Sequence, residues 1–168
     1  MKPQPLLILA MAATVIFSGM ASADGGGHKE VLPDETIIGI SLISSLITYF
    51  LIPKISKFEL SNEQRLVSSL IMFTVVVHAI LGIDDLKLLA GAAGFLGFGV
   101  IFFVLEIPTV ENNRKYLSYL FFLYTLSIVI FYVYLHPDLM KEGSYDLVGI
   151  LTKISEIGII ALTVKKLN

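Results

Sequence analysis

Beyond residue 35 the chain reads as five apolar stretches of about 17 to 22 residues, each closed by a short cluster of charged or polar positions, the length a helix needs to cross a hydrocarbon core. A water-soluble helix of this length would interleave charges with its apolar stripe. Here the charges collect between the stretches instead, so the pattern predicts transmembrane helices over 36–53, 66–82, 86–107, 117–135 and 147–164. The turn between the second and third spans, Ile83-Asp84-Asp85, is short enough to force an antiparallel helical hairpin, and either aspartate is placed to cap the third helix. Tyr116 and Tyr119 at one end of the fourth span, and Tyr132 and Tyr134 at the other, mark the depths that amphipathic rings favour.

The first apolar run is of another kind. Met1-Lys2-Pro3 is a positive leader, residues 6–17 are a twelve-residue apolar segment, and Ala21-Ser22-Ala23 is an A-x-A cleavage box. This predicts a cleavable signal peptide over 1–23; the alternative is an uncleaved helix over 6–20, which is short for a span. Residues 24–35, beginning Asp24-Gly25-Gly26-Gly27-His28, then form a flexible outer tether, and 36–168 the transmembrane domain. The expected fold is an all-α membrane protein, a signal peptide followed by a five-helix bundle.

Charge gives the bundle a direction. With the N-terminus outside, the inner segments carry Lys54, Lys57, Arg65, Arg114, Lys115, Lys165 and Lys166, and the outer ones only Lys29, Lys87 and Lys141. The positive-inside rule therefore predicts an extracytoplasmic N-terminus, a cytoplasmic C-terminus and a location in the cell membrane. Asp24, Glu30, Asp34, Glu35, Asp84, Asp85, Asp138, Glu142 and Asp146 make the outer face acidic.

Composition removes several classes of function. Cysteine is absent, which excludes disulfides, thiolate metal sites, iron–sulfur clusters and lipidation at cysteine. A net charge of −2 offers no basic face for nucleic acid, and there is no P-loop, dinucleotide fingerprint or G-x-S-x-G elbow, so neither a nucleotide partner nor a catalytic residue is expected. The plan resembles many small prokaryotic membrane proteins, which carries no function across.

Within the spans, two strips predict helix packing. Gly91, Gly94 and Gly97 recur every three residues in the third span, where a flat surface lets another backbone approach. Ser41, Ser45 and Thr48 share one face of the first span and offer hydrogen bonds across an interface.

The residues with chemistry are few. Lys153 and Glu156 sit at i and i+3 near the middle of the last span, on a face with Gly149, Thr152 and Thr163 and opposite Ile150, Ile154, Ile157, Ala161 and Val164. Each charge alone would cost roughly 2.5–3.5 kcal/mol at the bilayer centre, so the two are expected to pair and to face protein or water rather than lipid. Such a pair serves as a structural lock, as a contact with another subunit, or as a proton or ion relay. All three histidines, His28, His78 and His136, fall toward the predicted outer side, with Asp84 and Asp85 near His78 in the chain. Imidazole and carboxylate suit Cu(II) or Zn(II), and His78 with His136 would suit a single haem. Yet no two histidines stand at i, i+3 or i+4, and the packing reading for His78 is a hydrogen bond inside the bundle near Thr74.

Three functions follow. The leading expectation is a structural or accessory subunit held among other integral membrane subunits, without a cofactor or catalytic activity of its own. The second is a small transporter or proton-conducting protein using Lys153 and Glu156, and the third is an outer-face copper, zinc or haem protein.

Overall fold

The structure, a computed structural model, describes residues 32–57, 59–135 and 146–167. The predicted signal peptide, most of the tether, His28, His136 and the loop around Asp138 lie outside the described residues. The helices are α1 (Asp34–Ile55), α2 (Asn62–Leu81), α3 (Leu86–Phe103), α4 (Pro108–Asn112), α5 (Arg114–Leu135) and α6 (Leu147–Leu167), and no strand occurs among the described residues. All but α4 are long and apolar enough to cross a membrane, the pattern of a multi-pass protein in a lipid bilayer.

The helix ends depart from the apolar stretches for local reasons. Helix α2 starts four residues before the predicted span because Ser61 accepts from the Gln64 N–H while the Gln64 side chain accepts from the Ser61 N–H. This reciprocal capping box satisfies two donors that a helix start leaves open. Asp34 and Glu35, expected in the tether, form the first turn of α1, where carboxylates complement the positive end of the helix dipole. At its other end α1 runs through Pro53 to Ile55, the proline forfeiting its own helical N–H bond two residues before the helix stops. Helix α3 stops at Phe103 instead of 107, and Pro108 opens α4 at the first helical position, where its missing N–H costs nothing. Asp85 caps α3, its carboxylate accepting from the Lys87 N–H at 2.8 Å.

Helix α2 is the centre of the bundle and touches α1, α3 and α6, while α5 packs against α6 and reaches α3 through its aromatic side chains. Consecutive long helices alternate in direction. The carboxylates Asp34, Asp84, Asp85 and Asp146 therefore share one end, and Lys54, Arg65, Arg114 and Lys165 the other. Lys165 pairs with Glu63 across the α6–α2 seam at that basic end.

Two apolar clusters fill the interior. The larger runs from mid-bundle to the basic end and includes Val75, Phe95, Phe98, Phe102, Phe121, Tyr124 and Ile159. Helices α3 and α5 meet through these rings, with Phe98 and Phe121 centroids 4.8 Å apart and Phe95 and Tyr124 edge-on at 5.1 Å. The smaller cluster, Ile37, Phe73, Val77 and Val148, lies toward the acidic end. Outward positions such as Leu42, Ile43, Leu46, Ile47 and Phe50 on α1 are exposed and apolar, as a lipid-facing surface requires.

Candidate functional site: a buried acid–base chain

Helix α6 turns its polar stripe inward. Glu156 is fully buried and Thr152 nearly so, while Ile154 and Ile157 on the opposite face are 59% and 53% exposed. Lys153 Nζ donates to Glu156 Oε2 at 2.7 Å, and its side chain is 12% exposed. The same ammonium lies 4.8 Å from the centroid of the Tyr132 ring on α5, a cation–π contact.

From Tyr132 the chain continues toward the acidic end. The Tyr132 hydroxyl donates to Asp146 Oδ2 at 2.8 Å, and Asp146 Oδ1 accepts from the Gly149 N–H at 2.7 Å. Asp146 is thus the N-cap of α6 and the tyrosine's anchor at once. Gly149 leaves that space open, since a Cβ would displace the Asp146 carboxylate and the Tyr132 hydroxyl.

On its other side Glu156 meets His78 of α2. The distance from His78 Nε2 to Glu156 Oε1 is 3.8 Å, and Oε1 is buried with no hydrogen-bond partner. His78 Nδ1 lies 3.0 Å from the Thr74 carbonyl, which only accepts, so Nδ1 carries a proton. A neutral His78 then turns the lone pair of Nε2 toward the carboxylate. The ring is held by stacking on Phe95, with centroids 5.9 Å apart and planes at 15°. Gly91 lies behind it, where a Cβ would make an ordinary contact 3.9 Å from the imidazole, and the Gly91 carbonyl accepts from the Tyr124 hydroxyl at 2.9 Å.

The glycines of α3 therefore do different things. Gly91 borders His78, Gly94 makes space for Tyr124, and Gly97 has nothing within 4 Å of the position a Cβ would take. On α1, Ser45 bonds across to Ser69 of α2, with Oγ–Oγ at 2.7 Å and each hydroxyl 3.0 Å from the other's carbonyl. Thr48 bonds only its own helix at Ser44, and Ser41 is buried without a partner, as is the Thr74 hydroxyl.

Among the described residues, no three His, Asp or Glu side chains gather in a way that would hold a metal ion. The ring nitrogens of His78 face Thr74 and Glu156, and Asp85 is committed to capping α3. Asp84 is exposed in the turn. Sequence reasoning placed His78 with the outer aspartates and treated the α6 pair separately. The junction of His78 with Glu156, and the extension through Tyr132 and Asp146, required the packing of three helices.

The chain matches no protein-family model, and no curated protein or solved structure matches it significantly.

Proposed function

We propose that this multi-pass membrane protein binds and relays protons through His78, Glu156 and Lys153. The observation that carries the reading is the partnerless Glu156 oxygen facing a histidine nitrogen in the buried interior. With His78 neutral and Glu156 ionised, two acceptors face one another. One added proton, held by either group, turns that contact into a donor and an acceptor. Moving the proton from Glu156 Oε1 to His78 Nε2 leaves a carboxylate that Lys153 neutralises and an imidazolium whose Nδ1–H still donates to the Thr74 carbonyl.

Tyr132 and Asp146 extend the polar surroundings of the pair toward the acidic end, the Lys153 ammonium resting on the Tyr132 ring and the Tyr132 hydroxyl bonding Asp146. Toward the basic end the aromatic layer of Phe95, Phe121 and Tyr124, with Ile159, takes over, and the polar chain ends there. An intramembrane ionisable cluster with named partners favours transport or relay over plain packing. Vesicles reconstituted with the protein are expected to lose an imposed pH gradient faster than empty vesicles. Glu156→Gln is expected to return the rate to that of empty vesicles, and a rate unchanged by this substitution would sink the proposal.

A second reading is the accessory subunit of a larger membrane complex, and helix α1 favours it. Only 17% of its most apolar window is buried inside the bundle, against 44% for α2, leaving a broad Leu/Ile/Phe face for a neighbouring helix or lipid. Purification in mild detergent should then bring other integral membrane chains in fixed ratio; a solitary chain would count against it. An outer copper, zinc or haem role would rest on His28 and His136 with His78, and elemental analysis with an absorption spectrum of the same sample tests it.

A further inference from the structure

A cavity of about 390 Å³ opens at the basic end, between the start of α2, the start of α5 and the end of α6. This volume is in the range of small-ligand sites, roughly 300–1,000 Å³. Its lining is of two kinds. Arg114, Lys165, Glu63 and Ser118 supply charge and hydroxyl, and Phe103, Phe121 and Leu162 supply apolar surface. The Arg114 guanidinium donates to the Phe102 carbonyl at 3.3 Å and Lys165 is paired with Glu63; counted over the lining residues, Arg114 and Lys165 stand against Glu63.

We propose that this cavity binds one anionic phospholipid, its phosphate at Arg114 and Lys165 and part of an acyl chain along Phe103, Phe121 and Leu162. The depth selects the occupant. Arg114 and Lys165 stand at the ends of the α5 and α6 spans, the level of lipid headgroups, and Phe121 and Leu162 lie further in along the same two helices, where acyl chains begin. Basic pockets between transmembrane helices take anionic headgroups, and a zwitterionic lipid forfeits the net attraction. The proposal is independent of the proton reading, since Glu156, His78 and Lys153 do not line the cavity.

The test is native mass spectrometry of the full chain released from nanodiscs of equal phosphatidylglycerol and phosphatidylcholine. One phosphatidylglycerol is expected to stay bound, and Arg114→Gln should reduce its occupancy about fivefold, the equivalent of about 1 kcal/mol for one basic residue. Ser118→Trp, which fills the cavity without touching its charge, should displace the lipid and covers the case in which the arginine variant fails to fold. Lys57→Gln, an exposed lysine at the same end but outside the lining, should change nothing. Equal retention of the two lipids, or a loss with Lys57→Gln matching that with Arg114→Gln, would overturn the proposal.

Discussion

Glu156 has two oxygens in two different situations, one held by Lys153 at 2.7 Å and one facing His78 without a hydrogen bond. A residue kept only to lock a helix would gain from having both satisfied. The energetics of the pair separate structure from function. Removing one member of a buried ion pair leaves an uncompensated charge and costs about 3–5 kcal/mol, whereas replacing both with apolar groups of similar volume is often neutral or stabilising. Glu156→Gln is therefore expected to lower the unfolding free energy in detergent by about 3 kcal/mol, less any relief from Lys153 resting on the Tyr132 ring. The double variant Lys153→Met/Glu156→Leu should unfold within about 1 kcal/mol of the native chain. Equal destabilisation by the two would mean that the stripe is held by something other than this pair.

Among the elements, α3 shows how a run of small residues divides its work. Adding a Cβ at Gly94 forces the Tyr124 ring aside, and with it the hydrogen bond to the Gly91 carbonyl and the ring packing against Phe95. Gly94→Ala should cost about 2 kcal/mol, as overpacking a core usually does. Gly97→Ala meets nothing, and replacing a mid-helix glycine by alanine there should stabilise by about 0.5–1 kcal/mol. Thermal unfolding of the two variants side by side checks the contrast. The sequence motif treats these glycines alike, because three-residue spacing reports a shared face and not what lies opposite each position. The start of α2 was legible in principle, since Ser61 and Gln64 have capping-box spacing just before an apolar run. It escaped a reading based on hydropathy alone, as did α4, which is too short to show a period.

For the whole molecule, five membrane-length helices were legible because each needs only its own apolar stretch. The site was legible in pieces. Lys153 and Glu156 are neighbours on one helix and could be paired from spacing, but His78 reaches Glu156 only through the antiparallel packing of α2 on α6. Tyr132 and Asp146 likewise required α5 and α6 to lie side by side. Packing thus gathers acid–base residues from three helices, with Tyr132 and Asp146 toward the acidic end and aromatic rings toward the basic one. The most direct test of this arrangement is proton flux in vesicles carrying the Lys153→Met/Glu156→Leu variant beside native protein, with unfolding measured on the same preparations. The account predicts a variant that is folded and as stable as the native chain yet dissipates a pH gradient no faster than empty vesicles. A folded variant that conducts protons like the native protein would contradict it.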